Sequence, residues 1–249
     1  LVAGRQGIAE EFLQRKVSDP ALRAALTPDY PFRCKRVLLG SDYYAALQRD
    51  NTDLVTEPIV EITESAVVTG SRVTDVDAVV LATGFQTNHY LAGIEVVGSD
   101  GQSLHERWGE DPSAYLGVAV SGFPNFFMLY GPNTNQGGNS IVYILEAGAR
   151  LVADAVARLA RTGGSLQVRP EAERRFNDEI GAELEHTVWT RCGSYFRSPS
   201  GRIVTQWPYK ELEYARRTWR LRSRDWTHDD YRPDGQVPMT ASDSRRSSS

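Results

Sequence analysis

Short uninterrupted apolar runs mark the candidate buried strands of this chain. Residues 77–82 and 126–130 are such runs, and each is followed closely by a glycine, a pattern typical of strands buried on both faces of a parallel sheet. Shorter runs predict strands at residues 36–39 and 52–56. Residues 59–74 instead alternate between apolar and polar positions, which predicts a hairpin or small meander with one face in water.

Helical periodicity is clearest after the second buried run. An apolar stripe begins near residue 139 or 140 and continues to Thr162, where two glycines end it. Together with the buried runs, this helix favours an α/β fold. Residues 193–207 are irregular and aromatic, and residues 221–249 contain few apolar groups and are expected to be disordered. Further helices are predicted at residues 8–16, 21–26, 42–49, 171–187 and 211–217.

Composition excludes several classes of function. The net charge is −4 and no basic cluster dominates the chain, which argues against nucleic acid as the main partner. The apolar runs are far shorter than the roughly 20 residues of a membrane helix, and no secretory segment opens the chain. The four histidines have no metal-ligand spacing. We therefore expect a cytoplasmic protein without a membrane segment or a bound metal.

The two cysteines are far apart and form no C-x-x-C motif. One disulfide between Cys34 and Cys192 is compatible with the sequence, but a reducing cytosol favours free thiols. The chain starts with Leu1 rather than methionine, which is compatible with a fragment, a processed protein or an edited chain.

Three segments carry candidate chemistry. The polar loop 131–138 leads to a helix N-terminus, whose amides and dipole favour a negative ligand atom, although Asn and Gly also suit an ordinary strand-to-helix turn. The strand that ends at Thr83-Gly84 lets the backbone approach a ligand, or simply turns. Arg33, Lys35 and Arg36 supply fixed positive charge, or form a solvated face. No G-x-G-x-x-G or G-K-[ST] motif is present, so the ADP-binding turns of any dinucleotide site lie elsewhere.

Taken together, these segments resemble the C-terminal half of a class B flavoprotein monooxygenase, most closely of the Baeyer–Villiger (cyclohexanone monooxygenase-like) branch. The resemblance extends over roughly residues 15–220 in the order of the family's motifs. The matching motifs are Asp19-Pro20, Leu26-Thr27-Pro28-Asp29-Tyr30-Pro31, Cys34-Lys35-Arg36, Asp42-Tyr43-Tyr44, Asn51, Asp77, Leu81-Ala82-Thr83-Gly84-Phe85, Phe123-Pro124-Asn125 and Gly131-Pro132-Asn133.

The resemblance implies an incomplete α/β flavoprotein fold with two dinucleotide-binding domains. Residues 1–80 would be the C-terminal part of an NADP-binding domain and residues 81–165 that of an FAD-binding domain. Residues 166–220 would form a helical, aromatic C-terminal cap, followed by the disordered tail. An incomplete sheet exposes strand edges and apolar faces, so we expect poor solubility of the chain alone.

The family's activity implies FAD and NADPH as cofactors and O₂ as co-substrate. NADPH reduces the flavin, oxygen adds at C4a, and the peroxyflavin attacks a ketone to give an ester or lactone. The alternatives are oxygenation of an amine or sulfide, and a non-catalytic remnant or one half of a split enzyme. The family's N-terminal half would be the missing partner, because both glycine-rich turns and the Baeyer–Villiger fingerprint are absent from this sequence.

Single residues are carried over from the family's motifs. Arg36 matches the catalytic arginine beside the flavin, where a guanidinium stabilises negative charge. Lys35 matches the lysine near the 2′-phosphate of NADPH. Tyr195 stands where a tryptophan helps to hold NADP, and Arg33 stands where glycine is common, so the turn before Lys35 is expected to differ. The remaining cofactor-binding matches are the domain-joining Thr83-Gly84, Gly131 and Pro132, and the helix-start residues Asn139, Ser140 and Ile141; the substrate-pocket matches are Gln136, Gly137 and Gly138.

Overall fold

The computed structural model describes residues 2–138 and 140–229. The chain divides into two compact units. Unit one comprises Leu1–Gln86 and Val188–Ser194, and unit two comprises Thr87–Thr187 and Tyr195–Ser249. The assignment of these parts to NADP and FAD domains stays a prediction.

Unit one begins with three helices, α1 (Val2–Lys16), α2 (Pro20–Leu26) and α3 (Tyr43–Ala46). Asp19 caps α2, because its carboxylate accepts hydrogen bonds from backbone N–H groups of the first turn. Proline follows at the first helical position, where its missing N–H is not needed. The Gln48 amide donates to the carbonyl oxygens of Lys16, the last residue of α1, and of Tyr44 within α3, which ties the two helices together. The predicted helices at residues 8–16, 21–26 and 42–49 are confirmed, the last as a single turn.

The alternating segment folds as the predicted antiparallel meander. Its strands are β1 (Ile59–Ile62), β2 (Ala66–Thr69) and β3 (Val73–Asp75), in sheet order β1-β2-β3. Ile62 pairs with Val67, and Val68 pairs with Val73. All residues of β1 are exposed, so this strand has both faces in water rather than one.

The prediction of free thiols is wrong for this structure. Cys34 and Cys192, both in unit one, form a disulfide with their Cα atoms 6.1 Å apart, within the range that a disulfide requires. Their 158-residue separation gives no local signal of this proximity. The 3-10 helix Val188–Arg191 leads directly to Cys192.

Unit two contains four helices and a two-stranded sheet among its described residues. The helices are α4 (Leu104–Trp108), α5 (Ile141–Thr162), α6 (Pro170–Glu185) and α7 (Glu211–Thr218). Strands β4 (Ser165–Val168) and β5 (Trp226–Asp229) pair antiparallel. The predicted helices at residues 139–162, 171–187 and 211–217 are confirmed, whereas α4, β4 and β5 were not expected.

Aromatic packing holds unit two together. Tyr214 is buried where α7 packs on α5, and its hydroxyl donates to the carbonyl oxygen of Leu116, 2.9 Å away. The Trp207 ring meets Tyr214 edge-on and stacks with Phe176 of α6. A second cluster surrounds Trp108. These contacts bury the apolar faces of α5, α6 and α7.

Four predicted strands do not form. Residues 36–39, 52–56, 77–82 and 126–130 belong to no strand and have no ladder partners among the described residues. A strand needs a neighbour for its backbone hydrogen bonds, and an apolar run does not supply one. Residues 77–82 are exposed rather than buried.

The predicted start of disorder at residue 221 is also wrong for the described part of that segment. Residues Ser223–Asp225 form a 3-10 helix and β5 follows. Buried Asp225 accepts hydrogen bonds from Arg175 and from the Tyr115 hydroxyl, which fixes this segment on unit two. Residues 230–249 lie outside the described residues.

Candidate functional site

The residues singled out from the sequence are divided between the two units. Lys35, Arg36, Thr83 and Gly84 belong to unit one. Asn139 lies outside the described residues. Those that belong to unit two are Gly131, Pro132, Gln136, Gly137, Gly138, Ser140, Ile141 and Tyr195.

The cationic segment of unit one, residues 35 and 36, is exposed and directly follows a buried cysteine. Cys34 is completely buried, and its N–H donates to the carbonyl oxygen of Pro31 in a tight turn. Lys35 and Arg36 are exposed, and the Lys35 ammonium lies 4.3 Å from the centroid of the Tyr30 ring. The cation–π contact holds this charge at the surface.

Arg33 keeps a backbone conformation that glycine favours. Its φ is +72°, in the left-handed region. A non-glycine residue there costs on the order of 1 kcal/mol. Arg33 thus replaces the glycine that is common in the family, but its backbone stays in the region that glycine favours. The replacement alone does not require a different turn before Lys35.

Thr83 and Gly84 lie near the boundary between the units. Both are exposed, and Gly84 has a φ of +88°, which a β-carbon would strain. Unit one ends two residues later, at Gln86. This position is compatible with the predicted role as a joint between domains, which stays a prediction.

The loop before α5 begins with a very close packing contact. A β-carbon at Gly131 would lie 2.6 Å from the Met128 Sδ atom and still closer to the carbonyl oxygen of Gly117. Residues 131–134 are all buried. Only glycine fits this contact, so the start of the loop is fixed by packing.

Asn133 joins this loop to residues 203–206. Its amide donates to the carbonyl oxygens of Ile203 at 2.9 Å and Gln206 at 3.0 Å, and its N–H donates to Val204. The Asn133 Oδ1 atom and both amide atoms of the fully buried Gln206 have no hydrogen-bond partner among the described residues. Such buried polar atoms mark a place where a small polar group is needed.

The second half of the loop is held more loosely. Asn135 exchanges backbone hydrogen bonds with Thr205 and Trp207, and its side chain accepts from the Tyr130 hydroxyl at 2.9 Å. The Gln136 amide donates to the carbonyl oxygen of Tyr209. Gly137 and Gly138 are exposed. The predicted substrate-pocket residues therefore lie in the exposed half of the loop.

The N-terminus of α5 is available for a ligand acceptor. Ser140 occupies the N-cap position, but its side chain makes no capping hydrogen bond, and no acidic residue lies in the first turn. The first amides of a helix have no intrahelical acceptor and carry the positive end of the dipole. The start of α5 can thus stabilise negative charge, and the cofactor-binding role of Ser140 and Ile141 stays a prediction.

Tyr195 lies at the surface of unit two. Its ring packs on Phe196 with the centroids 4.5 Å apart, and its carbonyl oxygen accepts from the Thr87 hydroxyl at 2.6 Å. The side chain is close to half exposed. Its predicted role at the nicotinamide cofactor stays a prediction.

A cavity of about 260 Å³ lies in unit two, and none of the residues predicted from the sequence lines it. Its lining includes Tyr90, His105 and Trp108, and burial raises the pKa of Tyr90. Among the described residues, no group of three or more His, Cys, Asp or Glu side chains could hold a metal ion. None of the helices in residues 2–138 and 140–229 combines the length and hydrophobicity that a bilayer crossing requires.

Sequence reasoning missed Gln206 and the Cys34–Cys192 pair. Asn133 was quoted within the Gly131-Pro132-Asn133 motif, but its anchoring contacts were not anticipated. No sequence motif marks Gln206, because its contact is with a loop about 70 residues earlier in the chain and forms only when the chain is folded. A fold-level comparison, rather than a local pattern, is the signal that could have found it.

Curated relatives of this chain are monooxygenases. The FAD-binding monooxygenase ktnD of Aspergillus niger is 36% identical over 226 residues, which are 88% of this chain and 37% of the relative. A Baeyer-Villiger monooxygenase of Pseudomonas aeruginosa is 38% identical over 223 residues, 88% of this chain and 41% of the relative. The chain spans about two fifths of the length of these curated relatives. No protein-family model matches it.

Solved structures show the same partial similarity. An oxidized steroid monooxygenase bound to NADP matches with a TM-score of 0.78 and 32% identity, over 87% of this chain and 43% of that one. Cyclohexanone monooxygenase from Rhodococcus sp. Phi1, bound to NADP+, matches with a TM-score of 0.79 and 26% identity, over 88% and 42%. Each match covers less than half of the solved chain.

Proposed function

We propose that this chain belongs to the Baeyer–Villiger-type flavoprotein monooxygenases and forms the C-terminal part of an FAD- and NADPH-dependent monooxygenase. The proposed reaction transfers one oxygen atom from O₂ to a small ketone and yields an ester or lactone. The observation that carries the proposal is the start of α5 without a side-chain cap from Ser140, after a loop that is fixed by packing at Gly131, in a chain whose relatives are monooxygenases.

The residues present fit one end of FAD. The first amides of α5 can donate to an acceptor on the flavin ring, because the Ser140 side chain does not cap them. The sequence contains no G-x-G-x-x-G turn that could bind the ADP end of FAD. The family's N-terminal half is therefore proposed to supply the ADP-binding turns, and this chain the contacts to the ring.

Bound FAD, reduced by NADPH, would supply the activated oxygen. Arg36 would hold negative charge as it develops on the ketone oxygen, since a guanidinium stays charged at every physiological pH. Lys35 would contact the 2′-phosphate of NADPH, with Tyr195 beside the same cofactor. Gln136 and the two glycines after it would line the substrate pocket.

Two observations favour the ketone over an amine or sulfide substrate. Relatives from Pseudomonas aeruginosa and Streptomyces coelicolor, each 38% identical, are named Baeyer-Villiger monooxygenases. Attack on a carbonyl also creates an oxyanion that a cation stabilises, whereas a soft heteroatom needs no such partner. Amine or sulfide oxygenation is the alternative outcome of a substrate test.

The partner proposed for this chain is an N-terminal half of the same family. Four apolar residues are strongly exposed and belong to no strand in the described part of the chain: Leu38 (86%), Leu39 (97%), Val80 (88%) and Leu81 (75%). Exposed apolar side chains and open backbone are what a docking strand covers. The uncovered part of the relatives, roughly three fifths of their length, is long enough to supply such strands.

A non-catalytic remnant is the second candidate, favoured by the absence of the ADP-binding turns from this sequence. A chimera separates the two. The part of the Pseudomonas aeruginosa relative that this chain does not match would be joined to this chain, and ketone oxygenation and NADPH consumption would be measured together.

We expect the Arg36→Ala chimera to retain flavin absorbance and to oxidise NADPH while releasing peroxide, with at least a hundredfold loss of ester formation. Exposed Arg49 on unit one provides the control, and Arg49→Ala should oxygenate normally. Ester formation by Arg36→Ala at near the parent rate would contradict the role of Arg36. A chimera that retains no flavin would favour the remnant.

A further inference from the structure

The Cys34–Cys192 disulfide lies directly beside the residues proposed to act on the cofactors. Cys34 precedes Lys35 and Arg36 in the chain, and Cys192 lies in a segment 158 residues away. Both cysteines belong to unit one, with their Cα atoms 6.1 Å apart. The bond thus joins two chain segments at the base of the cationic segment.

The disulfide is a strong anchor for residues 35 and 36. Residues 35–40 belong to no helix or strand, and the backbone turn at Pro31–Cys34 precedes them. Lys35 also contacts Tyr30, the residue before that turn. Without the covalent link, the segment that carries Lys35 and Arg36 would lose its tie to residue 192, so its backbone would be less restricted.

The unequal burial of the two cysteines makes one side of the bond accessible to exchange. Cys34 is fully buried and Cys192 is half-buried, so an external thiol reaches Cys192 first. Cys34 would then be the leaving thiolate. Exchange that begins at Cys192 therefore does not require Cys34 to become exposed beforehand.

We infer that Cys34 and Cys192 are a reversible dithiol–disulfide pair whose oxidised form fixes Lys35 and Arg36 in position for the cofactors. This inference rests on the proposed function for the roles of Lys35 and Arg36, but the redox pair and its hold on these residues can be tested without any cofactor.

The redox steps balance with common reagents. A dithiol reductant attacks the Cys192 sulfur, the Cys34–Cys192 bond breaks, and Cys34 leaves as a thiolate that takes up a proton. The second thiol of the reductant then displaces Cys192 and closes the reductant's own disulfide. In the reverse direction hydrogen peroxide accepts two electrons and two thiol protons, which forms the S–S bond and two water molecules.

Trypsin digestion of the whole chain measures the hold on residues 35 and 36. Because the chain contains two cysteines, thiol titration in denaturant and the mass of the linked peptides report this pair directly. Reduction by dithiothreitol should accelerate cleavage after Lys35 and Arg36 at least tenfold. Cleavage after Arg72, in the β2–β3 turn, is the internal control and should not change.

The Cys34→Ser and Cys192→Ser chains, singly and combined, should be cleaved at the fast rate in either redox condition. Two free thiols that peroxide does not join, or equal cleavage rates of oxidised and reduced chain, would overturn the inference. In the chimera, reduction should raise the KM for NADPH at least fivefold without loss of flavin absorbance. A chimera inactive in both redox states, with the digestion result intact, would refute the proposed function and leave the redox pair standing.

Discussion

Lys35 presents its charge above the face of the Tyr30 ring. If it contacts the 2′-phosphate that distinguishes NADPH from NADH, Lys35→Ala removes a charge-assisted hydrogen bond worth about 1.5–3 kcal/mol. We expect the KM for NADPH in the chimera to rise roughly 10- to 100-fold while the KM for NADH changes little. Steady-state kinetics with both cofactors checks this.

Lys210→Ala is the matched control, because Lys210 is also exposed but lies in unit two at the start of α7. It should leave both KM values unchanged. An equal rise of the two KM values in Lys35→Ala would show that Lys35 does not read the phosphate.

Glu213 on α7 gives a pH-dependent contribution to stability. Hydrogen bonds from Arg216, with help from Arg217, lower the pKa of its carboxyl from 4.5 to about 2. A lowered folded-state pKa stabilises the protein above the unfolded pKa, and this stabilisation is lost as pH falls from about 4.5 towards 2. Partial exposure limits it to about 1 kcal/mol or less.

We expect Glu213→Gln to lower the urea midpoint at pH 6 and the difference from the parent chain to shrink steadily below pH 4.5. Urea titrations at several pH values measure this. Asp178→Asn, an exposed change on α6, should show no such trend. A constant difference from pH 6 to pH 3 would contradict the assigned cause.

At the residue scale, the sequence could show which side chains carry reactive or charged groups, but not which of them lie close together in the fold. The cations at 33, 35 and 36 were recognisable as a run, and the family match gave them roles. The Cys34–Cys192 bond was not predictable, because closure of a chain this long leaves no pattern near either cysteine. The unpartnered amide of Gln206 was equally hidden, since burial is a property of the folded unit.

At the element scale, the connection from residue 131 into α5 depends on a close backbone contact. Gly131→Ala places a β-carbon 2.6 Å from the Met128 sulfur and nearer to the Gly117 carbonyl. Such overpacking costs about 2–3 kcal/mol, which lowers the Tm by roughly 5–10 °C. Thermal unfolding followed by circular dichroism measures it.

Gly181→Ala is the control for this change. A β-carbon at Gly181, within α6, meets nothing within 4 Å, so alanine should raise stability by about 0.5–1 kcal/mol through helix propensity. If Gly131→Ala is as stable as the parent chain, the loop is not fixed in the way described.

Elements that form from nearby residues were predictable, and those that need distant partners were not. The β1–β3 meander and α5 match their patterns because turns and helical periodicity are local. Residues 36–39 and 77–82 carry the apolar pattern of strands but lack ladder partners in the described chain. Strands β4 and β5 were missed because their partners lie about 60 residues apart.

At the scale of the whole molecule, the predicted α/β flavoprotein fold is confirmed by the solved relatives, of which this chain matches less than half. The two units and the exposed apolar segments are consistent with parts of larger domains. The proposed site is also incomplete in this chain. The residues proposed to contact the flavin ring and NADPH belong to this sequence, whereas the ADP-binding turns do not. Under the proposed function, a complete site therefore requires the N-terminal half.

Flavin retention separates a shared cofactor site from a chain that does not bind flavin. This chain and the chimera would each be incubated with FAD, passed through gel filtration and measured for absorbance from 350 to 500 nm. We expect no retained flavin in the chain alone, because it lacks the ADP-binding turns, and a stoichiometric flavin spectrum in the chimera. A folded, soluble chimera that elutes without flavin would contradict the proposal that this chain is the C-terminal part of a flavin monooxygenase site.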